Sequence, residues 1–197
     1  MKSFWDKRYN SEEYTFGKEP NGFFKEEIDK LTPAKVLFIA EGEGRNAVYA
    51  AKLGWTVDAT DYSEVAKQKA EKLALENDVE INYQVQDFFN ETLPIEKYDA
   101  IVVINFHFEE KVREHYNQKI IEALKTNGRI ILQVFDKDQI KMNSGGPKDI
   151  NLLYTLEDIV NSFNELEFEC FAKENSTRFM DGMEREASII RFVGKKV

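Results

Sequence analysis

Thiol and imidazole are nearly missing from this chain of 197 residues, which has one cysteine, Cys170, and two histidines, His107 and His115. A lone cysteine cannot close an internal disulfide or build a thiolate metal cluster, and two imidazoles make a conventional zinc centre a poor reading, so no metal is expected. Long apolar runs are also absent; none approaches the ~20 residues that a membrane-spanning helix needs. The opening residues hold no apolar signal core, so cytoplasmic residence and no membrane partner are the expectation. Positive charge is in deficit: 27 Lys and Arg stand against 36 Asp and Glu, a formal net charge of −9. A field of that sign repels phosphate backbones, which disfavours nucleic acid as a partner. What remains is ordinary for a globular domain, 42% hydrophobic and 32% charged, enough to bury one core at this length.

Apolar spacing alternates strand and helix from residue 35 to 135. Lys35 to Ala40, 55 to 60, Ile81 to Gln86, Tyr98 to Asn105 and Arg129 to Phe135 read as strands. Runs such as Ala100-Ile101-Val102-Val103-Ile104 belong in a sheet covered on both faces. Asn46 to Leu53 reads as a helix packing through Ala47, Ala50, Ala51 and Leu53, with Gly54 as its exit. Ser63 caps a helix to about Glu76 that carries Val65, Ala66, Lys69, Ala70, Leu73 and Ala74 as one stripe. Val112 to Leu124 is a further helix, ending at Asn127-Gly128. This alternation predicts a parallel, three-layer α/β sheet.

The ends of the chain differ in character. Residues 1–34 form a cap segment: Phe4, Trp5, Tyr9, Tyr14 and Phe16 lie among charges, and a short helix through Phe24, Ile28 and Leu31 stops at Thr32-Pro33. Such a segment cannot make its own core, but it can fold over a pocket. Residues 35–197 read as a single domain. Asp136 to Leu153 is loop-like, and Thr155-Leu156-Glu157-Asp158 is a capping box that starts a helix to Phe163. Leu166 to Ala172 and Ser188 to Val193 read as two strands separated by a polar connection, so a terminal hairpin completes one mixed sheet of seven.

The residues that point to chemistry begin at Val36-Leu37-Phe38-Ile39-Ala40-Glu41-Gly42-Glu43-Gly44-Arg45-Asn46, where a strand meets two close glycines and passes into a helix. The loose pattern G-x-G-x-x-A is weak alone, since glycines also make plain tight turns. It gains meaning from Asp61 at the end of the next strand, a carboxylate placed to accept both ribose hydroxyls of a nucleoside ligand. Asp87 closes the third strand and can accept an adenine amino group or cap a turn, while Phe88 or Tyr62 packs against the base. Open α/β sheets bind ligands at that edge.

A nicotinamide enzyme usually needs a pyrophosphate cradle and a substrate domain, whereas this chain spends its last third on a short helix and a hairpin. A nucleoside cofactor without phosphate, S-adenosylmethionine, needs neither. Here the chain resembles class I S-adenosylmethionine-dependent methyltransferases, in particular the small tellurite-resistance/thiopurine-methyltransferase-like group. The matching blocks are Trp5-Asp6-Lys7-Arg8-Tyr9, Phe16-Gly17-Lys18-Glu19-Pro20-Asn21, Ala40 through Ala51, Asp61-Tyr62-Ser63, Asn105-Phe106-His107 and Gly145-Gly146-Pro147-Lys148. The resemblance implies a Rossmann-like sheet in order 3-2-1-4-5-7-6 with strand 7 antiparallel. It also implies methionine-end contacts near 38 to 44, ribose at Asp61, adenine near Asp87, and further cofactor contacts at Asn46 and Asn105.

Two positions depart from that pattern. Phe38 stands where the family usually has an acid; Glu41 or Glu43 compensates, or cofactor affinity is poor, or Phe38 is a plain core aromatic. Asp181-Gly182-Met183-Glu184-Arg185 lacks the histidine often found there, so a histidine-dependent substrate site does not carry over. Catalysis would fall to His107, a base for a thiol, amine or hydroxyl acceptor, or else a satisfied loop histidine. His115 reads as a surface or packing residue, Arg45 and Arg178 as anion clamps, with Arg45 equally a partner for Glu43 or a helix carboxylate. The expected function is methyl transfer to a small-molecule heteroatom nucleophile by a monomer or homodimer. A nicotinamide oxidoreductase and a non-catalytic cofactor-binding or protein-interaction module are the alternatives.

Overall fold

The computed structural model describes residues 2–90, 92–142, 144–180 and 183–197, side chains at 178–180 and 183 excepted. Seven strands form one sheet in the order β3-β2-β1-β4-β5-β7-β6. They are β1 Lys35–Ile39, β2 Thr56–Asp61, β3 Asn82–Val85, β4 Tyr98–Ile104, β5 Leu124–Phe135, β6 Leu166–Met180 and β7 Met183–Lys196. β1 runs parallel to β2 and β4, β2 parallel to β3, and β7 antiparallel to both β5 and β6. The expected strand order and the antiparallel seventh strand are thereby borne out. Chain contacts divide the molecule into two compact units, Met1–Thr92 with Tyr98–Ile104, and Leu93–Lys97 with Asn105–Val197.

In the first unit the helices are α1 Lys2–Tyr9, α2 Gly22–Ile28, α3 Arg45–Lys52 and α4 Glu64–Glu76. Ser63 caps α4 by accepting the Ala66 N–H at 3.1 Å, as its position predicts. Of the expected stripe, Ala66, Ala70, Leu73 and Ala74 are buried, while Val65 and Lys69 are half-buried. On α3, Ala47 and Ala50 are buried but Leu53 is not, because it lies just past the last helical turn and is 37% exposed. Phe38 is wholly buried with its ring 5.4 Å from Phe24, so burial of a large ring on the order of 1.5–3 kcal/mol holds α2 against β1.

The second unit holds α5 Glu110–Ala123 and α6 Leu156–Phe163. The capping box at Thr155 and Asp158 is present in both directions. α5 ends at Ala123 rather than at Asn127-Gly128; Leu124 is already extended, and Asn127, with φ +67°, turns the chain within β5. β6 and β7 are also longer than the sequence suggests. The polar stretch after Ala172 continues as a ladder, with Lys173 opposite Ile190 and Thr177 opposite Glu186. From Phe171 to Thr177 every β6 residue is exposed or half-buried, so no apolar alternation marks the strand, which is why it reads as a connection.

Buried Arg113 organises this unit. Its guanidinium lies 3.7 Å from the centre of the Tyr154 ring, pairs with Asp158 at 2.9 Å, and donates to the carbonyls of Phe108, Asn151 and Leu153. Among the described residues, no helix is long and apolar enough to cross a membrane.

Candidate functional site

Three strand tips meet at one edge of the first unit. Ile39, the last residue of β1, stands opposite Thr60 of β2 and Val103 of β4, and Asp61 stands opposite Val85 of β3. Past the tips, the Glu41 N–H donates to the Thr60 carbonyl at 3.0 Å and the Gln86 N–H to the Asp61 carbonyl at 2.9 Å. Gly42 and Asp61 are in direct contact: the Gly42 N–H donates to Asp61 Oδ2 at 3.1 Å. The Tyr83 hydroxyl, from β3, donates to the Gly42 carbonyl at 2.6 Å.

Backbone shape explains the small residues. Gly44 has φ +89°, and a Cβ there would lie 2.5 Å from that of Ala70, so only glycine lets α3 start this close to α4. Ala40 adopts φ +54° at the turn's first residue, a left-handed conformation that costs an L-residue about 1–2 kcal/mol. A Cβ on Gly42 would come within 2.8 Å of the Tyr9 hydroxyl.

Carboxylates dominate the electrostatics. Asp61 is 8% exposed and also accepts the Ser63 N–H, at 2.9 Å on Oδ1. Burial pushes its pKa up, against the lowering effect of backbone N–H groups from Ser63, Gly42 and Tyr62. A carboxylate offers about four lone-pair positions, so three backbone donors leave it able to accept a ligand hydroxyl. Glu41 turns the other way. Its Oε1 accepts the N–H groups of Asn46 and Ala47 at 2.9 and 2.8 Å, and Oε2 takes the Asn46 amide at 3.4 Å. Burial pushes the Glu41 carboxyl up to about 7 despite those bonds and nearby Arg45. Buried Glu43 pairs with Lys69 at 2.5 Å and accepts the Thr15 N–H at 2.7 Å. Phe38 is a core aromatic, so the first strand brings no acid to this edge.

The N-terminal motif blocks close onto this turn. Asp6 accepts the Ser63 hydroxyl at 2.6 Å, and Asn46 Oδ1 accepts the Asn21 N–H at 2.8 Å. Lys69 Nζ donates to the carbonyls of Tyr9, Ser11 and Glu13 at 3.3, 2.9 and 2.7 Å. Arg45 does not pair with Glu43; it donates to the Phe16 carbonyl at 2.8 Å. Lys69 and Tyr83 are the two residues that the functional reading of the sequence missed. For Lys69 a signal existed, a lysine set inside the apolar stripe of α4. Arg178, Asp181 and Gly182 lie outside what is described.

The adenine candidates divide by burial. Asp87 is exposed and holds its own turn, accepting the Phe89 N–H at 3.1 Å and the Asn90 amide at 3.0 Å. Phe88 is buried, whereas Tyr62 is half-buried, with a hydroxyl pKa raised to about 12 by burial and by Asp61 and Asp87.

In the second unit, Asn105 has φ +58°, donates its N–H to the Gln133 carbonyl at 2.7 Å and accepts the Gln133 amide at 3.4 Å. His107 stacks on Phe135 at 5.4 Å and 7° between planes, and its Nε2 accepts the Phe135 N–H at 2.9 Å. With Nε2 accepting, the neutral ring carries its hydrogen on Nδ1 and must break the Phe135 bond to act as a base at Nε2. Gln139 fastens the glycine pair of this unit, donating to Ser144 Oγ at 2.7 Å and to the Gly145 carbonyl at 2.9 Å. His115 is exposed, as expected.

Residues 36–128 match the family model described as a methyltransferase domain. No curated protein matches the sequence. Among solved structures, one concerned with conversion of a disulfide bond into a thioacetal group during echinomycin biosynthesis has a TM-score of 0.77 and 17% identity, covering 100% of this chain and 92% of that one. TehB from Haemophilus influenzae gives 0.77 and 16%, over 100% of this chain and 67% of its own. An S-adenosylmethionine-dependent methyltransferase from Anabaena variabilis gives 0.70 and 17%, over 100% and 93%. The strand order, the domain match at 36–128 and these likenesses agree: residues 36–128 match a methyltransferase domain, and the chain carries the Rossmann-like fold of class I S-adenosylmethionine-dependent methyltransferases.

Proposed function

We propose that this chain is an S-adenosylmethionine-dependent methyltransferase acting on a heteroatom of a small molecule. Within the class we assign it to the tellurite-resistance/thiopurine-methyltransferase-like group, with a thiol or chalcogen compound as acceptor. The observation that carries the reading is Asp61, a nearly buried carboxylate bonded to the Gly42 N–H with capacity left for a ribose hydroxyl. In this reading Ala40, Glu41, Gly42, Gly44 and Asn46 border the methionine end, Asp61 takes the ribose, and Tyr62, Asp87 and Phe88 border the adenine. Asn105 joins them by resemblance.

When bound, S-adenosylmethionine supplies a methyl group made electrophilic by a cationic sulfur. The chain's work is then to hold and align, and to keep water out. Tyr9 and the strap fastened by Lys69 serve the last purpose. A soft acceptor asks least of the protein, since a thiol titrating near about 8.5 is partly ionised at neutral pH without a base. That suits a His107 whose Nε2 is engaged by Phe135. The sulfur chemistry named for the echinomycin structure supports the same acceptor class.

A second reading, a non-catalytic cofactor-binding module, is favoured by Phe38 occupying the place of the family's acid. Calorimetry with S-adenosylmethionine, S-adenosylhomocysteine and NAD, followed by methyl-label transfer to a panel of thiols, amines and hydroxyls, separates the two. The proposal expects the sulfur nucleosides alone to bind and a thiol to be labelled. Binding without turnover on any acceptor gives the module, and no binding of either sulfur nucleoside at millimolar concentration removes both.

A further inference from the structure

We infer that Glu41 is the chain's own occupant of the anion seat at the start of α3, and that it sets the choice of cofactor against phosphate-bearing nucleotides. The inference rests on reading the turn from Ala40 to Asn46 as the cofactor loop. A glycine turn that opens a helix ordinarily presents free N–H groups and the positive end of the helix dipole to a ligand phosphate. Here α3 begins after Gly44, which supplies no side-chain cap. The donors are nonetheless taken, because Glu41 Oε1 accepts both the Asn46 and the Ala47 N–H.

The cations that could neutralise an entering phosphate are already set against carboxylates. Arg45 lies in the field of Glu41 and Glu43 while it donates to the Phe16 carbonyl, and Lys69 pairs with Glu43 and donates to the carbonyls of Tyr9, Ser11 and Glu13. Glu43 in the turn and Asp61 beside it add carboxylates, while Tyr9 on α1 and Tyr83 on β3 face the same turn with hydroxyls. A pyrophosphate would therefore meet occupied donors and like charge, which is how a site rejects a competitor without improving its own ligand. The amino-acid end of a sulfur nucleoside balances its single carboxylate with an ammonium group and carries no phosphate, so it brings far less negative charge to these carboxylates.

The test uses the full chain at pH 8, with S-adenosylhomocysteine and ADP-ribose as calorimetric probes; the pyrophosphate of ADP-ribose keeps its charge there. Wild type should bind ADP-ribose at least a hundredfold more weakly than the sulfur nucleoside. Glu41→Ala, which empties the seat, should bind ADP-ribose at least tenfold more tightly than wild type, with the gain shrinking as salt is raised. Glu41→Gln keeps an oxygen for the N–H groups without the charge and should show part of that gain, which decides the matter if Glu41→Ala does not fold. ADP-ribose binding as weak in the variants as in wild type overturns the inference, even where S-adenosylhomocysteine binds normally. If wild type ignores S-adenosylhomocysteine while the variants still gain ADP-ribose, the proposed function falls and the occupied seat stands.

Discussion

Replacing Glu41 by glutamine should make the protein more stable at pH 8 and leave it unchanged at pH 4.5. An ordinary glutamate titrates near 4.5 and this one near 7, chiefly because it is buried. Each unit of difference is about 1.4 kcal/mol, so ionising Glu41 costs the fold about 3 kcal/mol. The sign follows from proton binding. The folded state holds this proton more tightly than the unfolded chain, so stability falls as pH rises from 4.5 through 7 and levels off above. Glutamine does not titrate, and the gap between variant and wild type should open over that window towards about 3 kcal/mol. Asp61, also raised by burial, adds a slope of the same sign to both proteins and drops out of the difference. Tyr9 and Tyr83 titrate far above the window, and Arg45 stays charged through it. Urea unfolding followed by circular dichroism at pH 4.5, 6, 7 and 8 measures the gap directly. Parallel curves across that range would refute the reasoning.

Other expectations follow from the same contacts. Gly44→Ala should cost about 2–4 kcal/mol in urea unfolding, and adding Ala70→Gly should return the overpacking share while the φ strain of about 1–2 kcal/mol remains. Lys69→Met leaves Glu43 buried without its cation and should cost about 3–5 kcal/mol, with faster amide exchange at residues 9 to 15; unchanged exchange there would show that Lys69 does not fasten the strap. His107→Ala orphans the Phe135 N–H and should cost about 1–3 kcal/mol, while thiol methylation by the folded fraction persists. A large loss of turnover in fully folded protein would restore His107 as the base.

How far the sequence reaches depends on where the information resides. The turn at Gly42 and Gly44, the acid at Asp61, the Ser63 and Thr155 caps and the five strands between 35 and 135 are all legible, because each is a local pattern of side chains. The strap is not. Lys69 grips the carbonyls of Tyr9, Ser11 and Glu13, and main-chain acceptors leave no mark in residue identity. The direction of Glu41 is hidden for a related reason, since its partners are the N–H groups of Asn46 and Ala47. His107 was found by type, but only its bond to Phe135 shows what occupies its nitrogen. The length of β6 is hidden because its residues 171–177 are exposed or half-buried throughout, which removes the alternation that marks a half-buried strand.

Titration of wild type and Asp61→Ala with S-adenosylhomocysteine tests the central claim most directly. Losing a charged acceptor at the ribose should weaken binding by about 1–3 kcal/mol, and adenosine alone should show the same loss because the effect sits in the nucleoside. Equal affinity in the two proteins, or a wild type that takes up neither ligand, would contradict the account.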